Sequence, residues 1–300
     1  YEDLPPELDA WEITPYYRQK SWIVDDLQSA EYFSSAEGCG VTVTWKYQNS
    51  VITQKIALQA GSPRLTFYTT ANWQESHALL KAGFALDILT DHADYEIQFG
   101  HLSRPNFGNT SWDAARFEVC AQKWADLSEA DYGAALLNDC KYGYSCNGNF
   151  LELTLIKCAT YPNEAADRGS HTFTYALYPH RHRSVLGGVV QQGYLLNNPP
   201  TALKLPAQNG PLPERFSLLT SSKKNIVIET VKKAEDRNTV ILRLYEAFGQ
   251  KTTATFTGNL NYKKAFICDL LENREQPLKT QNGSFTLTLK PFEIVTVELE

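Results

Sequence analysis

Apolar and polar residues alternate one for one through much of this chain, in short segments that Gly, Pro and Asn interrupt. Hardly any stretch holds apolar residues at helical spacing over three turns. A side-chain period of two belongs to strands that lay one face on a core, so the chain is predicted to be all-β. In Val41-Thr42-Val43-Thr44-Trp45-Lys46-Tyr47 the odd positions are apolar or aromatic, and Thr42, Thr44 and Lys46 point the other way. Phe285-Thr286-Leu287-Thr288-Leu289 repeats the pattern after Asn282-Gly283, a strong two-residue hairpin signal, and Val295-Thr296-Val297-Glu298-Leu299 repeats it near the end. Further strands are expected at 65–70, 95–100, 116–120, 133–138, 150–157, 171–178, 225–232, 239–245 and 252–257.

One stretch breaks the rhythm. Five prolines fall within the 15 residues from Pro199 to Pro213, where missing N–H groups and fixed φ disfavour a sheet interior. It predicts a Pro-rich linker at 206–215 between a large β domain, 1–205, and a small one, 216–300, whose length suits a seven-stranded sandwich. A chain of 300 residues, 43% of them hydrophobic, can bury a sizeable core without disulfides or a metal. The balance of 28 basic against 34 acidic residues leaves a net charge of −6, the wrong sign for a phosphate-backbone binder, so no nucleic-acid partner is expected. No apolar run approaches the roughly 18 residues a membrane helix needs, so no membrane partner is expected either. The acidic opening from Tyr1 to Leu8 reads as the interior of a longer polypeptide.

The six cysteines are too scattered for a disulfide framework or a paired zinc site, and are expected to be buried free thiols. Asn109-Thr110-Ser111 and Asn282-Gly283-Ser284 are formal glycosylation sequons of a kind that chance supplies. His180 and His182 have a spacing that can chelate on a strand, but Arg181 and Arg183 oppose a cation there, and a solvated basic loop is the plainer reading. His92 and Asp94 share a face, with nothing nearby to complete a metal site. Trp112-Asp113 with Arg116-Phe117-Glu118, and the segment from Asn138 through Asp139 to Tyr144, mix aromatic, acidic and basic groups as carbohydrate sites do. The structural alternative is that Asp113 pairs with Arg116 and the tryptophans belong to the core.

Six ordered blocks carry a family likeness: Asn109–Asp113, Ala115–Val119, Lys123–Glu129, Leu136–Tyr144, Ala166–Gly169 and Tyr175–His180. Together with the opening, Glu2-Asp3-Leu4-Pro5 and Asp9–Ile13, and the closing Pro291–Val297, they resemble the C-terminal half of glycoside hydrolase family 38 α-mannosidases, in its cytosolic and bacterial branch. The resemblance implies a large mutarotase-like β-supersandwich followed by a small C-terminal β-sandwich. It also implies a role as the non-catalytic half of a retaining α-mannosidase that hydrolyses terminal α-linked mannose. An N-terminal catalytic barrel of the same polypeptide would then be the principal partner, holding the nucleophile and a zinc-like divalent metal. This chain would carry no cofactor and would be inactive alone.

In that family the β region lends a Tyr and an Arg to the edge of the sugar pocket, and by motif order these fall on Tyr95 and Arg168. Arg168 could equally close a loop by pairing with Asp167 or Glu164. Asn109, Trp112, Asp113 and Asp139 are expected to shape the pocket or the barrel interface. The resemblance further implies a mannose-containing oligosaccharide as ligand, a cytoplasmic setting and room for a homo-oligomer. The rival readings are a free-standing carbohydrate-binding or interaction β module, and a structural domain that sets oligomer contacts.

Overall fold

A computed structural model describes residues 1–206, 210–211 and 213–300. The chain divides into two compact units, the first made of residues 1–97 and 102–200, the second of 98–101 and 201–300. The linker expected at 206–215 includes residues 207–209 and 212, which lie outside the described residues.

The strands of the first unit are β1 (Asp26–Ser35), β2 (Gly38–Tyr47), β3 (Ser50–Gln59), β4 (Leu65–Trp73), β5 (Leu79–Ala85), β6 (His92–Ile97), β7 (Gly100–Pro105), β8 (Val119–Cys120), β9 (Trp124–Ser128), β10 (Tyr132–Asn138), β11 (Gly143–Asn147), β12 (Phe150–Lys157) and β13 (Gly169–Arg181). They build a nine-stranded sheet in the order β1-β2-β3-β4-β13-β10-β9-β6-β7 and a four-stranded sheet in the order β5-β12-β11-β8. One core joins them: Phe67, Ala71, Leu127 and Leu136 from the larger sheet pack with Tyr144, Leu151 and Leu153 from the smaller. Each contributes from alternate positions, as a strand with one face on a core must.

Helix is confined to short pieces, chiefly α1 (Ser111–Ala114) and α2 (Val189–Asn197). The second was not legible as a helix, because it keeps only Val189, Val190 and Gly193 buried and ends against the Asn-Asn-Pro-Pro run. A Cβ on Gly193 would come within 2.9 Å of Trp124 Cδ1, so the glycine lets α2 sit close over β9.

The second unit holds β14 (Leu219–Ser221), β15 (Ile226–Lys233), β16 (Val240–Glu246), β17 (Thr252–Gly258), β18 (Ala265–Cys268), β19 (Arg274–Leu278), β20 (Thr280–Gln281), β21 (Ser284–Leu289) and β22 (Ile294–Leu299). They form sheets ordered β14-β17-β21-β20 and β15-β16-β22-β18-β19, with Leu242, Leu244 and Val297 of one meeting Ala254, Phe256 and Phe285 of the other. The hairpin expected at Asn282-Gly283 is present: φ is +51° and +70°, both positive as a type I′ turn requires, and Gln281 pairs with Ser284. The all-β class holds in both units. The single strand expected at 95–100 is instead the end of β6, a turn at Phe99 (φ +59°) and the start of β7. Of the strand expected at 116–120 only Val119–Cys120 forms, since the residues before it close the turn after α1.

Candidate functional site

Arg168 lies at the end of the loop between β12 and β13, just after Asp167, whose φ of +59° turns the chain into β13. Asp9 anchors the other end of this loop. Its carboxylate accepts from the Thr160 and Tyr161 amides at 2.7 and 2.9 Å and from the Thr160 hydroxyl at 3.0 Å. These bonds, the Thr160 amide foremost, hold the Asp9 carboxyl below the usual carboxylate range. His77, 3.8 Å from Asp9, belongs to the turn between β4 and β5, and its carbonyl accepts from the Asp3 amide at 2.8 Å. The opening segment, the 74–78 turn and the 158–168 loop are thus bound to one another.

On this platform the exposed Arg168 guanidinium donates through Nε to Ser76 Oγ at 3.2 Å and through a terminal nitrogen to the same oxygen. No ion pair with Asp167 or Glu164 forms among the described residues. One hydroxyl uses two of five donors, so most of the fork faces outward, suited to sugar hydroxyls or to a carboxylate from another surface. In the same bound segments, Trp11 and Tyr161 meet edge to face at 6.5 Å and stay 67% and 58% exposed. Trp11, Tyr161 and Ser76 were not singled out in the sequence.

The other expected residues fall elsewhere. Tyr95 is 2% exposed in the core, edge-on to Tyr144 at 6.4 Å with the Arg104 guanidinium 5.0 Å over its ring, and burial pushes its phenol well above the ordinary value. Asn109 and Trp112 are exposed at α1, where Thr110 and Asp113 cap each other's backbone amides and Asp113 pairs with Arg116 at 3.4 Å. Trp112 is 77% exposed, so it is no core residue. Asp139 is exposed after β10 and accepts from the Thr174 amide at 2.9 Å. No hydrogen bond or ion pair among the described residues joins Arg168 to any of these.

His180 is not in a solvated loop: it is buried, with Nε2 2.6 Å from Asp126 Oδ1 and Nδ1 3.1 Å from the His182 carbonyl. Both ring nitrogens face acceptors, which suits an imidazolium. Burial opposes that charge, but Asp126 and the carbonyls outweigh it and raise the His180 pKa. A raised folded value means stability present below the unfolded value of about 6.5 and lost as pH rises through the folded value. We expect urea stability to decline from pH 6 to pH 8.5, and His180→Gln to flatten that decline; parallel curves for the two proteins would refute the assignment.

The cysteines are free, but only Cys158 and Cys268 are buried, while Cys39, Cys120 and Cys140 are exposed. Burial pushes the Cys158 thiol up to about 12. Sequence reasoning also missed a buried network in the first unit. Lys81 pairs with Glu118 and donates to Ser145 Oγ at 3.0 Å, while Glu152 accepts from Ser145 and from Tyr1 at 3.0 and 2.8 Å.

Residues 1–165 match the family described as "Glycosyl hydrolases family 38 C-terminal domain", and 225–297 match "Glycosyl hydrolases family 38 C-terminal beta sandwich domain". "Alpha-mannosidase 2C1" of Mus musculus is 40% identical over 303 residues, covering 98% of this chain but 29% of that protein. "Alpha-mannosidase G" of Dictyostelium discoideum is 42% identical over 254 residues, covering 83% of this chain and 23% of that protein. The chain therefore spans less than a third of the length of the curated relatives it matches. The crystal structure of an alpha-mannosidase from Enterococcus faecalis V583 shares the fold, with a TM-score of 0.73 at 19% identity over 91% of this chain and 35% of that one.

Proposed function

The chain belongs to glycosyl hydrolase family 38, whose C-terminal region it matches, and we propose that it is the non-catalytic C-terminal half of a retaining α-mannosidase acting on terminal α-linked mannose. The observation that carries this reading is alignment over nearly the whole chain with α-mannosidases more than three times its length. In this reading the chain packs on an N-terminal catalytic domain of the same polypeptide, in the cytoplasm, and helps complete the sugar pocket. The outward donors of Arg168 and the exposed faces of Trp11 and Tyr161 are the groups best placed to do so. Asn109, Trp112, Asp113 and Asp139 remain candidates for the domain interface. Tyr95 would act only through the packing beneath it.

A family 38 enzyme implies a divalent metal. Among the described residues no group of three or more His, Cys, Asp or Glu side chains is placed to hold one, so their donor set does not fit that ion. The metal and the nucleophile are assigned to the catalytic domain.

The test is hydrolysis of an aryl α-mannoside by the 300-residue protein and by the longer polypeptide, with divalent metal supplied. Turnover by the longer form alone is expected; turnover by the 300-residue protein would place the catalytic carboxylates within it and sink the reading. In the longer form Arg168→Ala is expected to lower kcat/KM by about tenfold or more, the worth of one charge-assisted hydrogen bond. An unchanged kcat/KM in a folded variant would remove Arg168 from the site.

A further inference from the structure

Within the first unit a cavity of about 440 Å³ opens beside β3 and β4, lined by Trp22, Trp45, Tyr47, Gln54, Thr69 and Tyr175 among others. Its size is that of a small-molecule site. Its aromatic walls are held in place. Tyr47 stacks on the buried Trp73 at 5.8 Å with rings 3° from parallel, and Trp73 is fixed through its indole N–H to Cys158 Sγ at 2.6 Å. Tyr175 stacks on Phe67 at 4.7 Å. Trp22 is 45% exposed and outside the core cluster; the Lys20 ammonium lies 5.2 Å over its ring, which leaves one face for the cavity.

The polar groups of this wall are incompletely used. The Gln54 amide contacts the hydroxyls of Tyr175 and Thr69 at 2.8 and 3.2 Å, and both of those residues are buried. If the amide nitrogen donates to both, the two hydroxyl protons have no acceptor among the described residues. If the amide is turned and its oxygen accepts from both, its own two N–H groups are left over. Either way two donors remain unspent beside the cavity, on the hydroxyls of the buried Tyr175 and Thr69 in the first case and on the half-buried Gln54 in the second, and such groups suit a partner with acceptor oxygens.

Charge narrows the ligand further. Lys81, Glu152 and Tyr1 also reach the wall, but Lys81 is paired with Glu118, Glu152 is held by the Tyr1 hydroxyl, Ser145 and Arg18, and the Tyr1 ammonium donates to the Leu79 carbonyl at 3.1 Å, so each charge of the lining already has a partner. Rigid aromatic faces, unspent neutral donors and balanced charge fit a neutral ligand with apolar C–H faces and many oxygens. We propose that this cleft binds a neutral hexopyranoside, as a mono- or disaccharide, with the ring against Trp22, Trp45 or Tyr47 and its oxygens on the Gln54–Tyr175–Thr69 group.

The inference goes beyond the enzymatic reading and is tested separately from it. The 300-residue protein is titrated with methyl α-mannoside, methyl α-glucoside and, as a control, glycerol, following saturation-transfer NMR and tryptophan fluorescence. Saturable binding of at least one pyranoside, with a dissociation constant on the order of 1 mM, is expected, and none for glycerol. Gln54→Ala and Trp22→Ala should each weaken it at least tenfold. Trp22→Ala guards against a misfolded Gln54 variant, and near-UV circular dichroism checks both. No saturable binding of either pyranoside, or binding unchanged in both folded variants, overturns the proposal. An active longer polypeptide with a cleft that binds nothing would overturn this inference alone, whereas a cleft that binds sugar in an inactive longer form would overturn the enzymatic reading alone.

Discussion

Glu298→Ala is expected to destabilise the second unit by about 2 kcal/mol in urea unfolding at pH 7, because it removes a buried carboxylate that accepts from two arginines, themselves about a third exposed and so able to turn to water. Glu298 sits in β22, the central strand of its sheet, with none of its surface exposed. Arg274 meets it with two bonds of 2.8 Å, Arg237 with bonds of 2.9 and 3.0 Å, and the Thr239 hydroxyl with one of 2.7 Å. The Arg274 bonds hold the Glu298 carboxyl well below the usual carboxylate range against the opposing effect of burial, and Arg237 and Thr239 add to them. A depressed folded value contributes stability above the unfolded value of about 4.3, lost as pH falls toward the folded value. The wild-type protein should therefore weaken steadily below about pH 5, and the Ala variant should lack that part of the decline. Equal stability of variant and wild type at pH 7 would show that the arginines hold no net stabilisation through this carboxylate.

Glu298 also shows where alternation stops informing. The rhythm of Val295-Thr296-Val297-Glu298-Leu299 assigned one face to the core, and Val297 and Leu299 are indeed buried. It gave no sign that Thr296 and Glu298, on the opposite face, would be 2% and 0% exposed. A period of two separates two faces; whether the second meets water depends on which side chains from other segments cross it, here Arg237 and Arg274. Glu246 repeats the lesson at the end of β16, where its carboxylate accepts from the amides of Phe248, Gly249 and Gln250 at 2.8 to 2.9 Å and from that of Phe292 at 3.1 Å. Strands with weaker alternation, such as the exposed edge strand β1 and the fully buried β9, were missed for the complementary reason that both their faces share one environment.

The site was legible unevenly. Motif order proposed Arg168, which is exposed, but gave no sign of its contact with Ser76, about 90 residues away, or of the bonds that Asp9, itself within the matching opening, makes to the loop about 150 residues on. His180 was read for its neighbours in sequence, Arg181 and Arg183, while its behaviour is set by Asp126, 54 residues away.

Lys81→Met in the first unit should cost about 3–5 kcal/mol at pH 7, the usual penalty for stranding a buried charge. The Lys81 side chain is 1% exposed, and Glu118 and Glu152 are 10% and 2% exposed at their side chains. Burial lowers the Lys81 pKa, with the two carboxylates opposing it, so its charge persists on their account. Without it, Glu118 keeps only the Tyr17 hydroxyl among the described residues, at 2.6 Å, while Glu152 retains Arg18 at 3.4 Å and the Tyr1 and Ser145 hydroxyls. Adding Glu118→Gln to Lys81→Met removes the stranded charge and should recover much of the loss at pH 7, a coupling that urea unfolding of the four proteins of the cycle measures directly. No recovery in the double variant would mean that lost packing of the lysine stem, not the stranded carboxylate, accounts for the effect.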